Sequence, residues 1–403
     1  MKILIVDKFE RWGIDQLKTL AEDVVMETGL KGDALAARIA EYKPDALIVR
    51  STKINADALS ASDRLRVVVR AGSGVDNIDL AAASKRGVMV SNCPGMNSVA
   101  VAELVMGLIV ALDRRIPDNV IDFRAGKWNK KEYSKALGLK GRTLGVVGAG
   151  QIGSEVAARA LACEMELLYY HLGRQRRLQD FPHAKRVELD DLLKHSDYVT
   201  VHVPGGEGTT HVIDERRLGM LKTTAVLINT SRASVIDEKA LVQALRTGRI
   251  RAAALDVFEN EPPADGASVE SPLRDVPNLY VTHHIGASTE QAQLAVAAET
   301  VRIVAQYKAS GKLPNCVNLQ VQPRATCLLI VRFANKPGGL AHVFNHIARE
   351  EINVEEMDHV VYDGGHSACA QIRLDRHPSA DVLNTIRTGH PNVLGVELME
   401  VSD

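Results

Sequence analysis

The sequence predicts an α/β protein built from two doubly wound, Rossmann-like domains and a C-terminal ferredoxin-like domain of βαββαβ order. Twice along the 403-residue chain, short β-branched runs alternate with longer amphipathic stretches. This alternation is typical of βα units that feed a parallel sheet. A third region begins near Ala325 and reads strand, helix, strand, strand, helix, strand. That order indicates a split βαβ sandwich, which forms a domain of its own.

The two parallel series can be followed strand by strand. The first consists of ILIVD, DALIVRS, LRVVVRAG and VMVSN, and the second of TLGVVGAGQIG, ELLYYH, YVTVHVP, AVLINTS, RAAALDVF and LYVTHHIG. A helix over residues 98–115 connects the two series, and the turn-forming stretch GKLPNCVNLQVQPR indicates a linker after the second. We therefore expect one domain of residues 1–97 plus 289–318, a second of residues 98–288 and a third of residues 325–403.

The third region supplies its own turns. Its first strand, CLLIVRF, ends in the turn ANKPGG before the helix LAHVFNHIAREE. The strands NVEEMDHVVY and SACAQIRLD are joined by DGG, and the helix ADVLNTIRTG leads into the last strand, VLGVELMEV. Glycine-containing connections of this length favour a hairpin between the two middle strands.

Charge and cysteine content exclude several classes of protein. The 49 lysines and arginines nearly balance the 50 aspartates and glutamates, so no overall field attracts nucleic acid or a membrane surface. The five cysteines show neither metal-ligand spacing nor a CxxC pair, which predicts reduced thiols, no metal and a cytoplasmic protein. The opening run MKILIVDKF lacks the apolar segment of a signal peptide.

The longest apolar stretch covers residues 98–112 and is interrupted by Glu103. It is shorter than the roughly 20 residues that cross a bilayer, so we interpret it as a buried helix. Because an apolar surface favours burial, this helix is also the expected contact of a homodimer or homotetramer.

A glycine-rich turn predicts a dinucleotide site in the second domain. It follows the apolar strand 144–147 and precedes a helix predicted over 154–161. The first glycine of such a turn allows tight bending, the second lets backbone approach a pyrophosphate, and the third lets helix and strand pack closely. The alternative is an ordinary glycine-rich turn. The residues assigned to the cofactor are Gly148, Gly150, Gln151, Ile152 and Gly153.

The ribose position departs from the usual pattern. NAD-binding proteins carry an acidic residue about 20 positions after the glycines, at the end of the next strand. Here that strand ends at His171, and Arg174, Arg176 and Arg177 follow. We expect NAD as the cofactor, with NADP as the alternative because histidine and arginine do not repel a 2′-phosphate.

Three further motifs end strands of the second series, where an open sheet places its ligands. They are NTSRAS, DVFENEP and HHIGAST, which contain Arg232, Glu261 and His284. Arginine can hold a carboxylate with its planar fork. Histidine can transfer a proton, and a neighbouring glutamate raises the pKa of that histidine. These are the functions that reduction of a 2-oxo acid requires.

With these motifs the chain resembles the D-isomer-specific 2-hydroxyacid dehydrogenase family from about residue 40 to residue 318. The resemblance implies a catalytic set of Arg232, Glu261 and His284, with Asp256 beside the nicotinamide. Two residues depart from the family pattern: Ala233 stands for glycine, and His283 for proline. We expect His284 to face the substrate and His283 to point away, since side chains alternate along a strand. The cofactor site is also expected to include Val203, Ser231 and Gly286.

The first domain supplies the expected substrate contacts at the ends of two strands and in the loop CPGMNS. Arginines there could hold a second anion such as a phosphate, and the alternative is a structural ion pair for Arg50. The contacts are Arg50, Ser51, Arg70, Gly72, Ser73, Gly74 and Asn97. Their similarity to phosphoglycerate-oxidising members of the family implies 3-phosphoglycerate as the substrate and D-2-hydroxyacid dehydrogenation as the activity. Hydroxypyruvate, glyoxylate and 2-hydroxyglutarate are the alternative substrates, and a corepressor-like dinucleotide sensor is the non-enzymatic alternative.

The third region resembles the ACT regulatory module. Its NKPGGL segment is similar to the ligand loop of that module, and INV begins the second strand. The resemblance implies an amino-acid effector, with serine expected and a purely structural module as the alternative. The effector contacts would be Asn335, Gly338 and Asn353.

Overall fold

The computed structural model describes residues 1–401 except 172, 174–180, 182, 207, 263–265, 267–269 and 321–324. The chain divides into two compact units, Met1–Asn318 and Leu319–Asp403. The first unit contains two parallel sheets and the second contains one antiparallel sheet. The predicted α/β architecture with Rossmann-type parallel sheets is therefore confirmed.

The first sheet has five parallel strands. They are β1 (Lys2–Ile5), β2 (Asp23–Met26), β3 (Ala46–Val49), β4 (Val67–Arg70) and β5 (Met89–Asn92), and the intervening helices are α1 (Arg11–Leu20), α2 (Gly32–Tyr42), α3 (Ala56–Ser60) and α4 (Leu80–Lys85). The order is β2-β1-β3-β4-β5. The central strands are almost wholly buried, because helices cover both faces of a parallel sheet.

The second sheet has seven parallel strands. Three helices, α5 (Ser98–Arg114), α6 (Ile116–Arg124) and α7 (Lys130–Tyr133), precede it. Its strands are β6 (Thr143–Val147), β7 (Glu166–Tyr170), β8 (Ala184–Arg186), β9 (Tyr198–Val201), β10 (Val226–Asn229), β11 (Ala252–Leu255) and β12 (Leu279–Val281). Its helices are α8 (Gln151–Ala162), α9 (Leu189–His195), α10 (Glu215–Leu218) and α11 (Glu238–Arg246). The strand order is β12-β11-β10-β9-β6-β7-β8. Successive strands are added on one side of β6 up to β8 and on its other side from β9 onward, and ligands bind beside such a switch point in open α/β sheets.

Helix α5 is buried by the chain itself. It packs on α8 and on strands β10 and β11, and Ala102, Val105 and Ile109 are fully enclosed. These residues of the helix belong to the core of the second sheet, and the expected contact of the helix with another subunit stays a prediction. Helix α6, which follows, instead exposes Ile121 and Phe123, at 64% and 67% of their surface.

Helix α12 (Glu290–Ser310) brings the chain back to the first sheet. It packs on α1 and β4, and its Ile303 and Val304 share a core with Leu17. Beyond the helix, the amide of Val317 donates to the carbonyl of Val90 over 2.8 Å. The first sheet is thus packed against residues that follow the second sheet in the chain, as well as against those that precede it.

The second unit has the predicted βαββαβ order. Its elements are β13 (Cys327–Ala334), α13 (Gly339–Arg349), β14 (Val354–Val361), β15 (Ser367–Leu374), α14 (Ala380–Thr388) and β16 (Val393–Glu400). The antiparallel sheet has the order β14-β15-β13-β16. Alternate residues of β13 are buried, which is the pattern of a sheet with one face covered by helices.

Three global features bear on function. None of the described helices is long and apolar enough to cross a membrane. Within the described ranges, no three histidine, cysteine or acidic side chains are grouped so that they could hold a metal ion. All five cysteines have free thiols.

Candidate active site

A cavity of about 670 Å³ lies where the carboxyl ends of strands from both parallel sheets meet. Most of the predicted site residues line it. They are Arg50, Ser51, Arg70, Gly72, Ser73, Gly74, Asn97, Ile152, Val203, Ser231, Arg232, Asp256, His284 and Gly286. The remaining predicted residues of this unit, which do not line it, are Gly148, Gly150, Gln151, Gly153, His171 and Glu261.

The glycine turn has the shape that a pyrophosphate needs. Gly148 has φ 103°, and a Cβ atom there would lie 2.7 Å from the carbonyl carbon and oxygen of His202. A Cβ atom at Gly153 would collide with the carbonyl oxygen of Gly148, whereas one at Gly150 would meet nothing within 4 Å. Helix α8 begins at Gln151, three residues before the predicted start. Its N-terminus therefore lies directly behind the turn, where it attracts an anion.

Several buried polar atoms near this turn lack partners, as expected of a ligand site. The Nδ1 atoms of His171 and His202 and the hydroxyl of Thr230 are enclosed without a hydrogen bond. Burial lowers the pKa of His202 to about 3, so its imidazole is neutral and can bond an uncharged hydroxyl or amide. These unpaired groups fit a bound dinucleotide. His202 and Thr230 were not predicted, although each follows a strand of the second sheet directly.

His171 ends β7 and its ring stacks on Tyr169 with centroids 6.3 Å apart. No carboxylate therefore stands at the position where NAD-binding proteins carry one. Arg174, Arg176 and Arg177 lie outside the described residues, so their predicted part in cofactor choice remains a prediction.

The residues of the predicted proton-transfer pair are hydrogen-bonded to each other. His284 Nδ1 lies 2.8 Å from Glu261 Oε2. The hydrogen bond to Glu261 raises the pKa of His284 above its ordinary value, despite partial burial. Burial would raise the pKa of Glu261, but its bond to His284 lowers the value overall. Glu261 remains an anion while Nε2 of His284 is left to exchange a proton with a ligand.

A tight turn after β12 fixes the backbone of His284. The buried carboxylate of Asp256 accepts hydrogen bonds from the hydroxyl of Thr282 over 2.6 Å and from the amides of Ile285 and Gly286 over 2.9 and 2.8 Å. The amide of His284 donates to the carbonyl of Asp256, and His284 has φ 51°. Left-handed backbone at a non-glycine residue costs about 1–2 kcal/mol, so these bonds stabilise an unfavourable conformation.

The prediction for His283 and His284 assumed that both lie in a strand, and this assumption is wrong. Strand β12 ends at Val281, and both histidines belong to the turn that follows. His284 lines the cavity and His283 does not, but this difference comes from the left-handed conformation of His284.

Three of the predicted arginines line the same cavity. The Nε of Arg232 donates to Asp76 over 2.6 Å. Arg70 Nε is buried without a partner, and the pKa of Arg70 is lowered by burial and by the positive charges of Arg232 and Arg50. Within the described part of the chain, the Arg50 guanidinium has no ion-pair partner. This cluster can bind a ligand with more than one negative charge.

A second carboxylate fixes the turn that carries Arg50. Asp7 accepts hydrogen bonds from the amides of Arg50, Ser51 and Thr52 at 2.7 to 3.1 Å. Burial alone would raise the pKa of Asp7, but these donors hold it below its ordinary value. The carboxylate therefore stays charged and holds the backbone of Arg50 in place.

Two predicted polar side chains bond to the protein itself. The Ser73 hydroxyl donates to Asn97 Oδ1 over 2.7 Å, which leaves the Asn97 amide group to face a ligand. Ser231 directs both its amide and its hydroxyl to Asn229 Oδ1. We therefore expect any contact of Ser231 with a cofactor to use its remaining acceptor capacity.

Two of the expected effector residues of the second unit already form side-chain hydrogen bonds within the protein. Asn335 donates its side-chain amide to the carbonyl of Gly365 over 3.0 Å, and Asn353 donates its own to Glu355 over 2.8 Å. Gly338 has φ 98° at the N-terminus of α13. The side-chain oxygens of the two asparagines remain for an ammonium group, while fewer donors remain for a carboxylate.

Comparison with known proteins identifies the family. Residues 106–286 match the model of the D-isomer specific 2-hydroxyacid dehydrogenase, NAD binding domain. A hydroxypyruvate reductase of Thermotoga maritima is 40% identical over 301 residues, which cover 74% of this chain and 96% of that protein. The chain belongs to the D-isomer-specific 2-hydroxyacid dehydrogenase family.

Further relatives bear on substrate and cofactor. A D-3-phosphoglycerate dehydrogenase of Methanocaldococcus jannaschii is 39% identical over 79% of this chain, and the alignment spans only 60% of that relative's length. The crystal structure of an NADPH-dependent glyoxylate/hydroxypyruvate reductase from Sinorhizobium meliloti, in complex with NADP and malonate, has a TM-score of 0.68 and 27% identity, covering 78% of this chain and 96% of that one.

Proposed function

We propose that the chain is a nicotinamide-dependent dehydrogenase that interconverts 3-phosphoglycerate and 3-phosphohydroxypyruvate, the first step of serine biosynthesis. The observation that carries the proposal is that His284, which is hydrogen-bonded to Glu261, lines the same cavity as Arg50, Arg70 and Arg232. One arginine can hold the carboxylate of the acid, and the others can hold a more distant phosphate.

The three catalytic residues have separate tasks. A bound nicotinamide cofactor supplies hydride exchange at C2 of the acid. Arg232 binds and orients the carboxylate beside that carbon. His284 accepts the hydroxyl proton at Nε2 during oxidation and returns it during reduction. Glu261 stabilises the imidazolium through Nδ1.

The cofactor side of the proposal rests on the glycine turn and its unpaired neighbours. The assigned residues are Gly148, Gly150, Gln151, Ile152, Gly153, His171, Val203, Ser231, Asp256 and Gly286. We propose NAD as the cofactor and NADP as the alternative, which the absence of an acidic residue at His171 favours.

Two rival functions have support of their own. A hydroxypyruvate reductase matches over nearly its whole length, so hydroxypyruvate or glyoxylate is the first alternative substrate and 2-hydroxyglutarate the second. A corepressor-like dinucleotide sensor would keep the cofactor site without needing turnover. The Nε atom of Arg70, which is buried without a hydrogen-bond partner, favours a doubly anionic substrate over the smaller acids.

Steady-state absorbance at 340 nm tests the proposal directly. We expect turnover of 3-phosphoglycerate with NAD, and of hydroxypyruvate phosphate with NADH. Parallel assays with NADP(H) decide the cofactor, and parallel assays with hydroxypyruvate, glyoxylate and 2-oxoglutarate decide the substrate. Failure of both phosphate esters beside good turnover of a smaller acid would reject the phosphoglycerate assignment and leave the hydride chemistry intact.

Replacing Arg50 by alanine should separate the phosphate ester from its dephosphorylated analogue. If Arg50 binds the remote phosphate, kcat/KM for hydroxypyruvate phosphate should fall by roughly 10- to 100-fold, since a charged hydrogen bond contributes about 1.5–3 kcal/mol. The value for hydroxypyruvate should change little. A suitable control is Arg66→Ala, because Arg66 lies in the first domain but does not line the cavity. Equal losses for both substrates would instead assign Arg50 to the shared carboxylate end.

We propose that the second unit is an ACT regulatory domain with serine as its effector. The βαββαβ order and the glycine loop at Gly338 support this proposal. Serine added to the 340 nm assay should then lower the rate, and Asn335→Ala should weaken that response. A rate independent of serine would leave the unit a structural module.

We propose further that the substrate-binding domain comprises residues 1–97 and 289–318, the dinucleotide-binding domain 98–288 and the regulatory domain 325–403. The enzyme would be a cytoplasmic homodimer or homotetramer. Helix α6 and the following loop expose Ile121, Phe123 and Trp128, the last at 79% of its surface, and such a patch favours burial against a second copy. Light scattering of the purified protein measures its mass.

A further inference from the structure

The catalytic arginine of the proposed function is held from outside its own sheet. Arg232 follows β10 of the second sheet, and its Nη1 donates to the carbonyl of Ser231 over 2.8 Å. Its Nε donates to Asp76 Oδ2 over 2.6 Å, and Asp76 follows β4 of the first sheet. The Nη2 end lies against Gly74. The guanidinium is thus fixed at two nitrogens and keeps the Nη2 end for a ligand.

The loop that carries Asp76 is itself well anchored. Asn77 donates its side-chain amide to the carbonyl of Thr52 over 2.7 Å. The amide of Ile54 donates to the carbonyl of Asn77 over 2.7 Å, and Ile54 also forms a β-bridge with Ile78. The loop after β4 therefore holds Asp76 in a fixed position, from which it can orient the side chain of Arg232 in the second sheet's loop.

The charges in the cavity give this contact its importance. Arg232 and Arg50 both lower the pKa of Arg70 through their positive charges, after burial, so the three cations repel one another. Asp76 offsets part of this repulsion at Arg232. Because Asp76 is 56% exposed, the ion pair contributes little to folding stability. Its effect is on the direction in which the Arg232 fork points.

We propose that Asp76 is a positioning residue, which orients Arg232 for the carboxylate of the substrate without touching the substrate itself. This inference rests on the proposed function, because it assumes that Arg232 binds a carboxylate. It extends that function by placing the control of carboxylate binding on the opposite sheet. It also explains why an acidic residue lines a cavity built for anions.

The test compares two substitutions at one position. Asp76→Ala removes the acceptor, whereas Asp76→Asn keeps a neutral oxygen that can still accept from Nε. The probe is oxamate, a non-reacting analogue of a 2-oxo acid, titrated by calorimetry with NADH present. We expect Asp76→Ala to raise the oxamate Kd by roughly 10-fold or more, the scale of one charged hydrogen bond. Asp76→Asn should recover most of that loss.

A double substitution tests whether Asp76 acts through Arg232. In Arg232→Ala, the further change Asp76→Ala should leave oxamate affinity unchanged, because nothing remains to be positioned. Asp79→Asn serves as the matched control, since Asp79 caps α4 three residues away and does not line the cavity. The Kd for NADH should be the same in all of these proteins.

The outcomes are distinct. Wild-type oxamate affinity in Asp76→Ala, a further loss in the Arg232→Ala background, or a parallel loss of NADH affinity would each overturn the positioning role. Absence of oxamate binding to the wild-type protein would also overturn it. Oxamate binding that depends on Asp76, in a protein that turns over no hydroxy acid, would retain the inference and reject the proposed function.

Discussion

Replacing His284 by glutamine should lower kcat by roughly 10²–10⁴-fold, the range that a positioned general acid or base contributes. Glutamine can still accept a hydrogen bond or donate one through its amide, but it cannot exchange a proton. The dissociation constant for NADH should change little, because the proposed role of His284 is proton exchange with the substrate. His283→Gln is the matched control, since this neighbouring histidine is exposed and does not line the cavity.

The pH dependence of the same reaction tests the role of Glu261. The pKa of His284 is raised by its hydrogen bond to Glu261, so oxidation, which needs neutral imidazole, should accelerate as pH rises through that raised pKa. Reduction needs imidazolium and should slow over the same interval. Glu261→Gln removes the negative charge and should move both profiles to lower pH. Profiles that stay in place would show that another group titrates.

A single methyl group at Gly148 should weaken both the fold and the binding of NADH. Alanine would have to adopt φ 103° and place its Cβ 2.7 Å from backbone atoms of His202. Because backbone cannot move aside as a flexible side chain can, the turn itself must shift. Backbone strain of about 1–2 kcal/mol and overpacking of about 1–3 kcal/mol predict a lower melting temperature and a loss of NADH affinity of at least tenfold.

Substitutions at two other glycines separate the effect on the stability of the fold from the effect on NADH binding. Gly150→Ala meets nothing within 4 Å in the protein, so we expect an unchanged melting temperature and weaker NADH binding. Gly107→Ala, on the exposed side of α5, should change neither property adversely. If Gly148→Ala bound NADH normally, the turn would not be the pyrophosphate site.

The sequence predicts that these motifs lie together because parallel sheets expose the carboxyl ends of their strands at one edge. The motifs after β3 and β4 end strands of the first sheet, those after β10 and β11 end strands of the second, and residues from all four line one cavity. The same rule would also have identified His202, which follows β9 directly. It was overlooked because an isolated histidine carries no motif, and its burial and unpaired Nδ1 appear only in three dimensions.

Other structural features could not be predicted from a single sequence, for physical reasons. Strand β2 is half-exposed at the edge of its sheet, so its residues lack the continuous apolar pattern of the central strands. The left-handed backbone of His284 depends on hydrogen bonds that Asp256, 28 positions earlier in the chain, accepts from the amides of His284 and Ile285. The ion pair between Arg232 and Asp76 joins residues 156 positions apart. Local patterns contain no signal for either contact.

The return of α12 to the first sheet has a consequence for synthesis. The amide of Val90 donates to the side chain of Asn318, 228 residues later, and Leu17 packs in a core with Ile303 and Val304. At about 5–20 residues per second, a ribosome needs roughly 10–45 s to make the intervening chain. During that interval the first sheet exists without its last helix and with apolar surface uncovered. The first sheet is therefore completed only after the whole second sheet has been made, and we expect a chaperone to protect it during that interval.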